Sequence, residues 1–188
     1  MKLCVFCGSN SGKNPKFKEI TKQLGQTIAS NGDTVVYGGG SVGLMGVIAD
    51  SALQAGGNVI GIMPEFLINK EINHSGLTEL FQVHDMNNRK QKMMEISDVF
   101  ILLPGGIGSL EEFFDMFSAS QMQLHKNPIV LFNIDNFFNP MLEMIDNLIS
   151  EGFAPSIDKG LLIVINNPND MYNKLYDFKH KVGRKYIG

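Results

Sequence analysis

The chain has 188 residues, a hydrophobic fraction of 44%, a charged fraction of 19% and a formal net charge of −3. These values fit one compact domain with a sizeable core. No basic block stands out, so general nucleic-acid binding is not expected and any anionic ligand must be held by a local site.

The chain opens with MKLCVFCGSN, whose short apolar run ends at Gly8. That is too short for a signal peptide, and no run of about eighteen apolar residues occurs anywhere, so a cytoplasmic location without a membrane partner is expected. KLCVFCG reads as a first strand, which places Cys4 and Cys7 three apart and on opposite faces. Two buried structural thiols are expected there rather than a redox CxxC pair, and unpaired thiols suit a reducing compartment.

Apolar spacing at Phe17, Ile20, Leu24 and Ile28 predicts a helix from Pro15 to Ala29. TVVYGGG is a second strand ending in glycines, and Leu44 to Ala55 a second helix closed by Gly56-Gly57. NVIGIMP is a third strand. A looser stretch runs from Glu65 to Thr78, then LFQVHDM forms a fourth strand and Asn88 to Ile96 a helix. DVFILLPGG is a fifth strand, followed by a long helix from Ser109 to Leu124. PIVLFN, a helix from Asn139 to Ser150, LLIVI and a helix from about Asn169 to Lys179 complete the chain.

Continuous apolar strands alternating with helices imply a parallel sheet covered on both faces. The expected fold is a doubly wound, Rossmann-like α/β domain spanning residues 1–188. Ligands of such sheets bind beyond the carboxyl ends of the strands, and the glycines of this chain gather there.

Gly38 to Gly43 (GGGSVG) matches GxGxxG after a strand and before a helix. A dinucleotide site also needs an acid about 20 residues on, at the next strand end. That strand runs out at Met63-Pro64, and Glu65 comes late behind the proline, which argues against NAD. Gly8 to Asn14 (GSNSGKN) misses the P-loop by one residue between the glycines and by the hydroxyl after the lysine. Zinc-ligand spacing is missing among His74, His84, His125 and His180, so no metal is expected.

Arg89-Lys90 stands at a predicted helix start, where guanidinium can fork onto phosphate or carboxylate, although a solvated basic face has the same appearance. Gly105-Gly106-Ile107-Gly108 suits an anion at a helix N-terminus. Ser109 to Glu112 (SLEE) then reads as a capping box, with Ser109 as N-cap and Glu112 reaching back, and Glu111 favouring the positive helix end. Capping leaves the glycine loop unexplained. A nucleoside monophosphate fits it, with phosphate on the glycines and ribose over the acid. The apolar residues Phe113, Phe114, Met116, Phe117 and Met122 exceed what one buried face needs, so core packing and a dimer interface are both open.

MNNRK (Met86 to Lys90) followed by PGGIGSLEE (Pro104 to Glu112) resembles the paired signature RK and PGGxGTxxE. That signature belongs to the LONELY GUY (LOG) type cytokinin riboside 5′-monophosphate phosphoribohydrolases. The likeness extends to FCGSNSG, YGGGSVGLMG, KEINHSGLTEL and EGF, from about Cys4 to Phe153.

The resemblance implies hydrolysis of the N-glycosidic bond of an adenine-type nucleoside 5′-monophosphate to free base and ribose 5-phosphate, without a cofactor. It implies Arg89 and Glu112 as the catalytic pair. It implies substrate contacts from Gly39, Gly40, Glu71, Met86, Arg89, Lys90, Gly105, Gly106, Ile107, Gly108, Ser109, Leu110, Glu111, Glu112 and Ser118, and a homodimer with its site near the interface. Ser109 stands where the motif has threonine, and Asn87-Asn88 where His-Glu is common. Related proteins carry a lysine decarboxylase label, which no feature of this sequence supports. The competing reading is a non-catalytic nucleotide-binding module.

Overall fold

The computed structural model describes residues 1–68 and 73–183. Its elements in chain order are β1 (Lys2–Phe6), α1 (Pro15–Ser30), β2 (Thr34–Tyr37), α2 (Gly43–Gln54), β3 (Asn58–Pro64), α3 (Glu65–Ile68) and β4 (Glu79–Val83). There follow α4 (Met86–Ile96), β5 (Val99–Leu102), α5 (Ile107–Gln121), β6 (Ile129–Phe132), α6 (Asn139–Ser150), β7 (Leu162–Ile165) and α7 (Met171–Asp177). The seven strands form one parallel sheet in the order β4-β3-β2-β1-β5-β6-β7. This is the expected doubly wound architecture.

The strands are nearly all apolar because both faces are covered, and side chains alternate between the faces. Leu3, Val5, Val35, Tyr37, Val99 and Ile101 pack with residues of α1, α2 and α7. Cys4, Phe6, Val36, Phe100 and Leu102 pack with residues of α4, α5 and α6. Cys4 and Cys7 fall into opposite clusters, as their spacing predicts, and both are buried free thiols. No described helix is long and apolar enough to cross a membrane.

Helix starts come from local chemistry. Asn14 accepts the Lys16 N–H at 3.0 Å and Pro15 follows it, so α1 begins where its sequence predicts. Asp85 accepts the Asn88 N–H at 2.8 Å, which starts α4 at Met86 rather than at Asn88. His84 and Asp85 therefore lie beyond the fourth strand, which ends at Val83.

The sheet order places the functional edge. From β1 the chain winds outward through β2, β3 and β4, then crosses back to lay β5 on the other side of β1. The helices that follow β1 and β5 pack on opposite faces of the sheet at this reversal, which leaves a crevice beyond the strands' carboxyl ends. Pairing of Phe6 with Leu102 and of Val5 with Tyr37 brings the ends of β1, β5 and β2 close to one level. Three glycine-bearing loops meet there.

Phe113 is 1% exposed on the inner face of α5 and stacks with Phe117 at 5.8 Å between ring centroids. Phe113→Ala should lower unfolding free energy by about 3–5 kcal/mol in urea titration, and a loss under about 1 kcal/mol would contradict this packing.

Candidate active site

The capping box expected at Ser109 and Glu112 does not form. The helix starts two residues earlier, at Ile107, with Gly106 as an extended N-cap that provides no side-chain cap. Leu110 N–H donates to Gly106 O at 3.2 Å, so Ser109 already lies inside the first turn and is buried. Glu112 lies beyond reach of the terminus and turns to α4 instead. A Cβ on Gly105 would lie 2.3 Å from Ser109 Oγ and 3.0 Å from Gly8 N, so only glycine allows these loops to meet. Gly106 and Gly108 face open space.

Of the starts of α1, α2, α4 and α5, one is left open. Asn14 caps α1 and Asp85 caps α4. At α2, Gly8 O accepts the N–H groups of Leu44 and Met45 at 2.9 and 3.3 Å. α5 has no side-chain cap, so its first N–H groups and its positive dipole end face the crevice. Beside it lies a cavity of about 250 Å³ lined by Gly8 to Gly12, Pro104 to Gly106, Phe17, Leu44 and Phe137. An uncapped, glycine-opened helix at a concave site suits a phosphate.

Behind this terminus three ion pairs join α4 to α5. Arg89 Nη2 donates to Glu112 Oε1 at 2.8 Å, with the residues 8% and 7% exposed. Lys90 Nζ lies 2.6 Å from Asp115 Oδ2 and also pairs with Glu111. Glu111, Glu112 and Asp115 therefore each have a cation beside them, which would offset their repulsion of an anion at this terminus.

Burial pushes the Glu112 carboxyl above the usual carboxylate range; Arg89 opposes this, and Glu111 adds to it. Hydrogen bonds to Asp115 and Glu111 push the Lys90 ammonium up. Burial, with the Glu112 charge second, pushes the Cys4 and Cys7 thiols up, which keeps both protonated and unreactive. The Arg89 Nε is buried without a hydrogen-bond partner. An unmet donor of this kind costs about 1–3 kcal/mol unless an acceptor arrives.

The structure brings Arg89, Lys90, Gly105, Gly106, Ile107, Gly108, Ser109, Leu110, Glu111 and Glu112 together at the start of α4 and α5. Leu110 packs into the core below. Met86 opens α4, half-buried. At the end of β2, Gly39 O accepts His74 N–H and Gly40 O accepts the Tyr37 hydroxyl, both at 3.0 Å. Ser118 stands apart, nine residues beyond Ser109 on α5 and so about 13 Å along its axis. It borders a separate apolar groove with Phe114, Leu148 and Phe153. Glu71 lies outside the described residues. Sequence reasoning missed Asp115, although its i+4 spacing from Glu111 puts both on one helix face. It also missed Phe137, which the fold carries to the cavity from beyond β6.

A family profile described as "Possible lysine decarboxylase" matches residues 45–175. The probable cytokinin riboside 5′-monophosphate phosphoribohydrolase LOGL1 of Oryza sativa subsp. japonica is 39% identical over 94% of this chain and 79% of its own length. The cytokinin riboside 5′-monophosphate phosphoribohydrolase of Rhodococcoides fascians is 44% identical over 86% of this chain and 82% of its own. The chain belongs to the LOG family. Among solved structures, the molybdenum cofactor binding protein of Rippkaea orientalis superimposes with a TM-score of 0.72 at 23% identity, covering 93% of this chain and 94% of that one. The Moco carrier protein of Chlamydomonas reinhardtii gives 0.70 at 19% identity, covering 94% and 96%. These two share the fold of this LOG-family chain.

Removing one member of a buried pair leaves the other charge stranded. Glu112→Ala should cost about 3–5 kcal/mol in denaturant unfolding, and the apolar double variant Arg89→Met/Glu112→Leu should recover most of it. A single-variant loss below about 1 kcal/mol would show that the pair is not buried as described.

Proposed function

We propose that this protein hydrolyses the N-glycosidic bond of a nucleoside 5′-monophosphate, AMP or a cytokinin riboside 5′-monophosphate, releasing free base and ribose 5-phosphate. The observation that carries this reading is the buried Arg89–Glu112 pair directly behind the uncapped glycine terminus of α5. The names of the 36–44% identical relatives support the same reaction.

The phosphate binds the N–H groups at the start of α5, with the Ser109 hydroxyl as a further donor. The sugar then extends toward Glu112. Cleavage develops positive charge at the anomeric carbon, which a carboxylate stabilises. Water adds its oxygen to that carbon and passes a proton to Glu112, while the departing base keeps the bonding electron pair and takes up a proton. Arg89 holds Glu112 in place, and its buried Nε donor has no protein partner. Lys90 holds Glu111 away from the phosphate and keeps α4 fixed on α5. Gly39, Gly40, Glu71, Met86 and Ser118 enter as substrate contacts through the family likeness.

A pyridoxal phosphate reaction does not fit these residues. It needs an amine free to form a Schiff base. Among the described residues, the lysine beside the Arg89–Glu112 pair is Lys90, held as an ammonium between Glu111 and Asp115.

The partner proposed for the apolar groove is a second copy of the chain. Phe114, Leu148 and Phe153 are exposed beside Ser118, and a two-fold related copy would cover them. The two unpaired thiols support a cytoplasmic location. The charge of −3 offers nucleic acid no attraction.

Glu112→Gln should lower kcat by about 10²–10⁴-fold with AMP, measured by base release, and unchanged turnover would remove Glu112 from the mechanism. The reaction needs ionised Glu112, whose pKa is raised. Activity is therefore present above that pKa and lost as pH falls through it. The acidic limb of kcat/KM should lie above the ordinary glutamate value of about 4.3 and move higher in Arg89→Met; a limb at or below 4.3 would contradict this.

A further inference from the structure

The glycine run after β2 has the form of a phosphate loop, yet its first member does something else. We propose that Gly38 is a positioning residue: the space left by its missing side chain seats the Arg89 guanidinium against Glu112. A Cβ built on Gly38 would lie 2.5 Å from Arg89 Nη2 and 3.3 Å from Arg89 Cζ. Nη2 is the same atom that donates to Glu112 Oε1. A side chain at position 38 therefore requires that guanidinium to shift.

The constraint is steric. Gly38 does not lie in the left-handed region that favours glycine, unlike Gly39 at φ +85° and Gly43 at φ +62°. Alanine could take its backbone conformation, so the contact decides the outcome.

What would yield to the added methyl follows from how each neighbour is held. The backbone after Gly38 is fixed by the hydrogen bonds that Gly39 O and Gly40 O accept. Met45 Sδ, 3.3 Å from the built Cβ, closes the other side. Arg89 is carried by α4, which Asp85 caps, but its guanidinium ends a flexible stem. The guanidinium is what moves, and moving it breaks the pair and leaves Glu112 buried without its cation. The end of β2 thus sets the alignment of a pair built from α4 and α5.

The kinetic half of this inference rests on the proposed hydrolase reading; the steric half does not. The test is a cycle of Gly38→Ala, Arg89→Ala and the double variant, with urea unfolding midpoints, kcat and KM for AMP. Gly38→Ala should lower the midpoint and cut kcat by about 10²-fold, the cost of misplacing a catalytic group by about an ångström, with KM little changed. In the Arg89→Ala background the same change should leave the midpoint and the residual kcat unaltered, since no guanidinium remains to displace.

If Gly38→Ala fails to fold, the double variant should fold as Arg89→Ala does, and that rescue supports the seat. An equal midpoint loss in both backgrounds, a double variant that does not fold where Arg89→Ala does, or wild-type kcat in Gly38→Ala would each overturn the proposal. If Arg89→Ala itself keeps wild-type turnover, the catalytic reading of the pair fails, and the midpoint cycle alone then tests the seat.

Discussion

A buried charge needs a partner, and the site of this protein is organised around that requirement. Glu112 and Arg89 are each more than nine-tenths buried, and each is tolerable only because the other lies 2.8 Å away. The pair is built across two helices, so it exists only if α4 and α5 hold a fixed relation. Lys90 supplies that relation by bonding two further carboxylates of α5. Asp85 supports it from the other side by fixing where α4 begins. The raised carboxyl of Glu112 records the cost of burial, and the opposing pull of Arg89 records how far the cost is offset.

The fold places this pair at the one edge where it is useful. The reversal of strand order between β1 and β5 opens a crevice, and the glycines of three loops let their backbones close to contact distance around it. An uncapped helix end then offers N–H donors where an anion can reach them. That open end, at Gly106, lies six residues before Glu112 on the same helix. On the proposed reading, binding and chemistry share one helix.

Much of this was legible in the sequence. Continuous apolar strands alternating with helical periods gave the doubly wound sheet, and the spacing of Cys4 and Cys7 gave their opposite faces. The Arg89 and Glu112 positions followed from paired motifs. What failed was local. SLEE has the form of a capping box, but two glycines before Ser109 allow the helix to start at Ile107, and Glu112 then meets a partner 23 residues away in sequence. A capping rule compares only neighbours along the chain and has no term for that partner. The same limit hid Gly38, whose role is defined by a side chain from another helix. GGGSVG looked like a ligand loop because both uses demand a missing Cβ. Ser118, a substrate contact by family likeness, lies well along α5 beside the apolar groove.

The central claim is that this constellation breaks a bond rather than merely holding a nucleotide. The direct measurement is to incubate the purified protein with AMP and with isopentenyladenosine 5′-monophosphate and to quantify free base and ribose 5-phosphate. The account predicts that both products appear in equal amounts from at least one substrate, and that Glu112→Gln abolishes their release without abolishing nucleotide binding. Nucleotide that binds and is recovered intact from the wild-type protein would contradict it and make the protein a nucleotide-binding module on the same fold.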